Sequence, residues 1–198
     1  MTLVGLLGGT FDPIHFGHLI GTEAVRNALG LDLIELVPAN DPPHKSDERI
    51  TSTTDRVAMV QAAIQDVDGY AVNLCEIRRQ GRSFTVDTLE HLASTRPDDQ
   101  FLFIIGSDSL RDLPTWKSPE RILELARLAV LARPGITYDF ARLEERLPGL
   151  RQRCCFVDTP MIDISSTRLR AMVKSGKSIR FQTPEQVITY IERSGIYR

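Results

Sequence analysis

Four short apolar runs constrain this chain more than any other feature. Leu3–Leu7, Leu33–Val37, Phe101–Ile105 and Leu128–Ala132 each span five residues, and only Glu35 interrupts them with a polar side chain. Runs of this length fall far below the ~18 apolar residues of a membrane span. They fit strands buried on both faces. Cys154–Val157 is a weaker fifth candidate.

Helical patterns separate the runs. Val57, Val60 and Ile64 share one face, opened by Thr53-Thr54-Asp55, and Val86, Leu89 and Leu92 share another, opened by Ser83 or Thr85. Ser118-Pro119-Glu120 reads as an N-cap, a first-turn proline and an acidic first turn. Thr183-Pro184-Glu185-Gln186 reads as a capping box, with Gly195 as the stop. Alternation of strand and helix predicts an α/β fold, with a mainly parallel, Rossmann-like sheet flanked by helices. The polar stretch Asp41–Thr53, with Pro42-Pro43, reads as a loop.

Composition closes off the other classes. At 198 residues, 42% hydrophobic and 25% charged, the chain is neither disordered nor a disulfide scaffold. That length fits one domain over 1–198 with a short helical segment at 165–198. A pI near 6.1 speaks against nucleic acid as a partner. The net charge of −2 conceals an asymmetry, because residues 165–198 hold seven Lys/Arg against two Asp/Glu. Cys75, Cys154 and Cys155 make an odd set without metal-ligand spacing, as expected in a reducing, cytoplasmic compartment. No basic stretch precedes an apolar core near Met1, so no leader and no membrane partner are expected. A homo-oligomer is compatible with all of this.

The first candidate site follows the first run. Gly8-Gly9-Thr10-Phe11-Asp12-Pro13-Ile14-His15-Phe16-Gly17-His18 leads into a helical pattern of Leu19, Ile20, Ala24 and Val25. A glycine-bearing turn between a buried strand and a helix is where α/β folds bind phosphates. Neither the GxGxxG fingerprint nor the GK[ST] of a P-loop is present. His15 and His18 are three apart, so a helical first turn projects both rings from one face. Three readings follow: donors to a phosphate, a metal pair with Asp12 nearby, or plain capping histidines.

A second candidate lies near the C-terminus. Ile164-Ser165-Ser166-Thr167-Arg168 precedes a helical stripe of Leu169, Met172 and Val173. Ser165 is a natural N-cap. Arg168 and Arg170 near that helix start oppose its dipole, which makes sense if an anion sits there. Gly106-Ser107-Asp108 ends the third run, Trp116 is the chain's only tryptophan, and Arg133 ends the fourth run. The C-terminal ends of such strands form the ligand face of an α/β sheet.

The stretch from Gly8 to His18 resembles the GGTFDPxHxGH signature of the HxGH nucleotidylyltransferase superfamily, and specifically its bacterial nicotinate-mononucleotide adenylyltransferases. Ile164–Arg170 resembles the superfamily's second, ISSTxxR-like signature, with Arg170 on the motif arginine and Arg168 at a variable position. The resemblance implies transfer of AMP from ATP to nicotinate mononucleotide, with Mg²⁺ carried mainly by the ATP phosphates and no protein metal site. It assigns His15, His18 and Arg170 to catalysis. ATP would meet Gly8, Gly9, Thr10, Phe11, His15, His18, Gly106, Asp108, Ile164, Ser165, Ser166, Thr167, Arg168 and Arg170. The mononucleotide would meet Lys45, Phe84, Thr85, Trp116 and Arg133. Phe84 stands where relatives often carry tyrosine, so a contact through that hydroxyl is lost. Rival readings are an adenylyltransferase for nicotinamide mononucleotide or another phosphorylated substrate, and a nucleotide sensor without turnover.

Overall fold

A computed structural model describes residues 1–42, 50–132, 139–160 and 162–198. The strands are β1 (Leu3–Gly9), β2 (Leu33–Pro38), β3 (Tyr70–Val72), β4 (Gln100–Gly106), β5 (Arg127–Ala132) and β6 (Cys154–Asp158). They form one sheet in the order β3-β2-β1-β4-β5-β6, and every pairing is parallel. This is the doubly wound order of the Rossmann fold, whose ligand crevice opens where the strand order reverses. Here that point lies between β1 and β4.

Alternation along β4 sorts its side chains to two cores. Phe101, Phe103 and Ile105 face one with Val4, Leu6, Leu128 and Val130; Leu102 and Ile104 face the other with Ile34, Leu36 and Ala129. The first core is covered by α3 (Cys75–Arg79), α4 (Thr85–Thr95), α5 (Ser107–Asp112), α6 (Pro119–Leu125), α7 (Phe140–Arg146) and α8 (Leu150–Arg153). The second is covered by α1 (Phe16–Leu29), α2 (Thr53–Ile64), α9 (Ser166–Lys174) and α10 (Glu185–Ser194). Burial on both faces is why the central strands read as unbroken apolar runs. Among the described residues, no helix is long and apolar enough to cross a membrane.

Glu35 is the polar exception inside β2, and the fold satisfies it. Its carboxylate accepts from Arg96 at 2.7 Å and from Asn73 at 2.8 Å. A buried carboxylate without such donors would be costly.

Three local details depart from the sequence reading. The three-residue strand β3, at the sheet edge, is only half-buried and too short for its apolar residues to mark a strand. The hydroxyl of Thr183 does not cap α10; it donates to the carbonyl of Ile14 at 2.7 Å, and Pro184 takes the N-cap position. Ser118 stands at the start of α6 as expected, but in a left-handed conformation and without a side-chain cap. By contrast, Ser165 caps α9 as expected, accepting from the Arg168 amide at 3.3 Å.

Candidate active site

A cleft of about 1110 Å³ opens above the C-terminal ends of β1 and β4. One end is built from the two glycine- and serine-bearing segments. Gly8, Gly9 and Thr10 leave β1, and His15, Gly17 and His18 open α1. Ile164, Ser165, Ser166 and Thr167 face them from the start of α9. Two helix N-termini therefore meet in one cleft, and both favour negative charge.

The histidines form a pair rather than two independent donors. Their rings stack with centroids 3.7 Å apart and an interplanar angle of 27°. The His15 amide donates to Nδ1 of His18 at 3.2 Å. With Nδ1 accepting, neutral His18 carries its proton on Nε2 and can donate there. Phe11 and the same ring meet in a T-shaped arrangement, with centroids 5.2 Å apart. His15 is buried at the N-cap of α1.

Glycine is required twice here for space. A Cβ on Gly17 would lie 2.9 Å from Nδ1 of His15, inside any normal contact. A Cβ on Gly9 would lie 2.9 Å from the Phe11 ring, which is buried and held at a left-handed φ of 51°. Phe11 thus supports the loop from beneath and does not line the cleft.

The backbone of residues 10–16 is tied down from distant parts of the chain. Arg56, almost wholly buried, donates to the Thr10 carbonyl at 2.8 Å and to the Thr51 carbonyl at 3.1 Å. Arg170 donates to the Asp12 carbonyl at 2.8 Å. Ser166 donates to the Pro13 carbonyl at 2.8 Å, and the Phe16 amide donates to the Gln182 carbonyl at 3.0 Å. The Asp12 carboxylate accepts from the Thr51 amide at 3.1 Å and from the Tyr197 hydroxyl. With the Thr10, Asp12, Pro13 and Ile14 carbonyls engaged, the loop is held in one shape.

The other end of the cleft is aromatic. Phe84 and Thr85 at the start of α4 line it with Trp116. Trp116 packs edge-on to Phe103, with centroids 6.2 Å apart. Ser83 holds the α4 start against the end of β2, accepting from the Asn40 amide at 2.9 Å.

Most of the expected residues therefore converge on one cleft. Gly106 lines it, whereas Asp108, Arg168 and Arg170 do not. Arg168 is exposed, 3.8 Å from Asp163. Arg170 bridges the two motifs through the Asp12 carbonyl and reaches Thr167 at 3.4 Å. Lys45 and Arg133 lie outside the described residues.

The cytidylyltransferase-like family model matches residues 6–172, which takes in both the β1–α1 loop and the start of α9. The chain belongs to the cytidylyltransferase-like family. A Thermomicrobium roseum protein named "Probable nicotinate-nucleotide adenylyltransferase" is 43% identical over 198 residues, covering 100% of this chain and 92% of that one. A Roseiflexus protein of the same name is 44% identical over 195 residues, covering 98% of each. Among solved structures, Plasmodium falciparum nicotinic acid mononucleotide adenylyltransferase complexed with NaAD superposes with a TM-score of 0.78. Its 20% identity, over 100% of this chain and 98% of that one, speaks for the fold.

Several cleft residues escaped the sequence reading, Lys117, Asp163 and Glu76 among them. Lys117 lines the aromatic end, and Asp163 borders the end built by the histidines and the start of α9. Each adjoins a residue that was read, Trp116 and Ile164 respectively. Adjacency was the available signal, but a single lysine or aspartate in a loop has no spacing pattern of its own.

Proposed function

We propose that this chain transfers AMP from ATP to nicotinate mononucleotide, releasing pyrophosphate and giving deamido-NAD. One observation carries the reading: a single cleft joins a stacked histidine pair between two helix N-termini to an aromatic end beside a third. The first end suits a triphosphate, and the second suits a planar ring bearing an anion. The full-length likeness to proteins named for this activity supports it.

The reaction needs no covalent nucleophile from the protein. A phosphate oxygen of the mononucleotide bonds to the α-phosphorus of ATP, while the bond to the bridging oxygen breaks and pyrophosphate leaves. Two polyanions must meet, so positioning and charge stabilisation carry most of the rate. His18 donates from Nε2 to the α-phosphate as charge builds on it, and His15 fixes that ring by stacking. The α9 amides with Ser165, Ser166 and Thr167 receive the β- and γ-phosphates. Arg170, and Arg168 beside it, add positive charge behind them. Gly8, Gly9, Thr10 and Gly106 offer backbone close to the nucleotide, with Phe11 beneath, and Asp108 sits in the first turn of α5. Trp116 stacks on the pyridine, and the α4 start at Phe84 and Thr85 meets its carboxylate.

Mg²⁺ enters as part of the ATP substrate. The phosphate end offers imidazole, hydroxyl and amide donors, which suit phosphate oxygens better than a metal. Such chemistry belongs in the cytoplasm, where ATP is made.

The test is pyrophosphate release with ATP and equal concentrations of nicotinate and nicotinamide mononucleotide. The expected result is deamido-NAD as the main product. Preferred formation of NAD would refute the substrate, and ATP binding without pyrophosphate release would make the chain a sensor.

A further inference from the structure

We infer that Lys117 makes this site prefer a pyridine carboxylate over the corresponding carboxamide, an inference that rests on the adenylyl-transfer reading above. Lys117 lines the aromatic end of the cleft together with Trp116, Phe84 and Thr85. A lysine in such a place would ordinarily sample many rotamers. This one is held from two sides. Its Nζ lies 2.7 Å from Asp87 Oδ1 and 4.9 Å from the centroid of the Phe84 ring.

Both tethers belong to the start of one helix. Phe84 is the N-cap of α4, and Asp87 lies in its first turn. The ammonium is therefore fixed beside the same helix end that meets the pyridine substituent. Asp87 alone would disfavour an anion there, but its charge is paired with Lys117. What remains toward the ligand is the α4 amides and the unused donors of the ammonium, which carries three.

A carboxylate presents only acceptors to that surface and brings a negative charge. A carboxamide presents one acceptor and one donor group, and its donor faces donors. Glu76 also borders the cleft and would push the other way, yet its carboxylate is occupied by the Thr88 hydroxyl at 2.7 Å. Arg79 stands beside that pair, reaching the same hydroxyl at 3.3 Å. The Lys117 side chain is 48% exposed, so solvent screens its charge and the discrimination it supplies is modest.

The experiment compares kcat/KM for nicotinate and nicotinamide mononucleotide at saturating ATP in three proteins. These are the wild type, Lys117→Met and Lys117→Arg. Methionine keeps the apolar stem over Phe84 and removes the charge. The expected result is a fall of about 3- to 10-fold in the acid-over-amide ratio for Lys117→Met, mostly through KM for the acid. Lys117→Arg should keep the ratio within about twofold, since the charge and the ring contact both survive. Raising the salt concentration should lower the wild-type ratio and raise that of Lys117→Met, in which Asp87 is left unpaired. A ratio unchanged in Lys117→Met, with both substrates turned over, overturns the role of Lys117 alone. Failure of the wild type to use either mononucleotide overturns the substrate reading and this inference with it.

Discussion

The hydroxyl of Tyr197, the penultimate residue, donates to the carboxylate of Asp12, 185 positions away. Tyr197 holds a left-handed φ of 70° in doing so, and its hydroxyl also approaches the Met59 sulfur at 3.8 Å. Asp12 is buried in the middle of the loop that carries the histidines. The end of the chain thus braces the start of the site.

Tyr197→Phe should destabilise the protein by about 1–3 kcal/mol, the cost of leaving a buried carboxylate short of one donor. Denaturant unfolding would measure this directly. Because Asp12 shapes the histidine loop, turnover should fall as well. A variant with unchanged midpoint and unchanged kcat would show that the bond contributes nothing.

Stability should fall in alkali. Burial, then the bond to Asp12, raises the pKa of Tyr197 above its ordinary value, and burial pushes Tyr70 up to about 12. Burial likewise pushes Cys75 up to about 11 and Cys154 up to about 12. The folded state keeps these protons where the unfolded chain has lost them, so unfolding gains as pH rises. The contribution is complete below about pH 9, the unfolded thiol value, and is lost progressively above it. Thermal midpoints from pH 8 to 11 should therefore decline, less steeply in Tyr197→Phe. Identical slopes in the two proteins would remove Tyr197 from the account.

Gly17→Ala should separate stability from activity. Alanine at a helical position raises stability by roughly 0.5–1 kcal/mol over glycine. Its Cβ, however, would lie 2.9 Å from the His15 ring, which must shift and take its stacked partner with it. We expect an intact melting temperature and kcat lower by at least about 10-fold, as misplaced catalytic groups cause. Wild-type turnover would mean that the position of the His15 ring does not matter.

His18→Ala should lower kcat by about 10²–10³-fold, as loss of one preorganised oxyanion donor does. Steady-state pyrophosphate release, with circular dichroism to confirm folding, decides the point. Near-normal turnover in a folded variant would end the proposed role.

Trp116→Ala should raise KM for the mononucleotide more than KM for ATP. Loss of a stacking ring is worth about 1–3 kcal/mol in base–aromatic cases. Equal damage to both substrates would point to Trp116 as a wall of the core, through its contact with Phe103.

Much of this protein was legible in its residues taken in order. Apolar runs reveal strands buried on both faces because no polar side chain is tolerated there. Helix β-to-α junctions were visible where a small or polar residue stands at the turn, as at Gly8-Gly9 and Ser165. Residue identity and spacing also marked the His15–His18 pair and the Ile164–Arg170 segment. Where the signal was short, it failed: β3 has three residues and sits at an edge, too little for a period to show.

Only the folded chain decided what those residues touch. Thr183 reads locally as a cap and instead serves the Ile14 carbonyl. Arg170 reads as a phosphate ligand, and the fold also sets its guanidinium on the Asp12 carbonyl. Tyr197 and Arg56 carry no pattern at all, yet both brace the histidine loop. Periodicity and capping are properties of neighbours in sequence, set by backbone geometry within a few residues. Hydrogen bonds between residues 12 and 197 depend on where the sheet order and the final helix bring them, and no local rule encodes that distance.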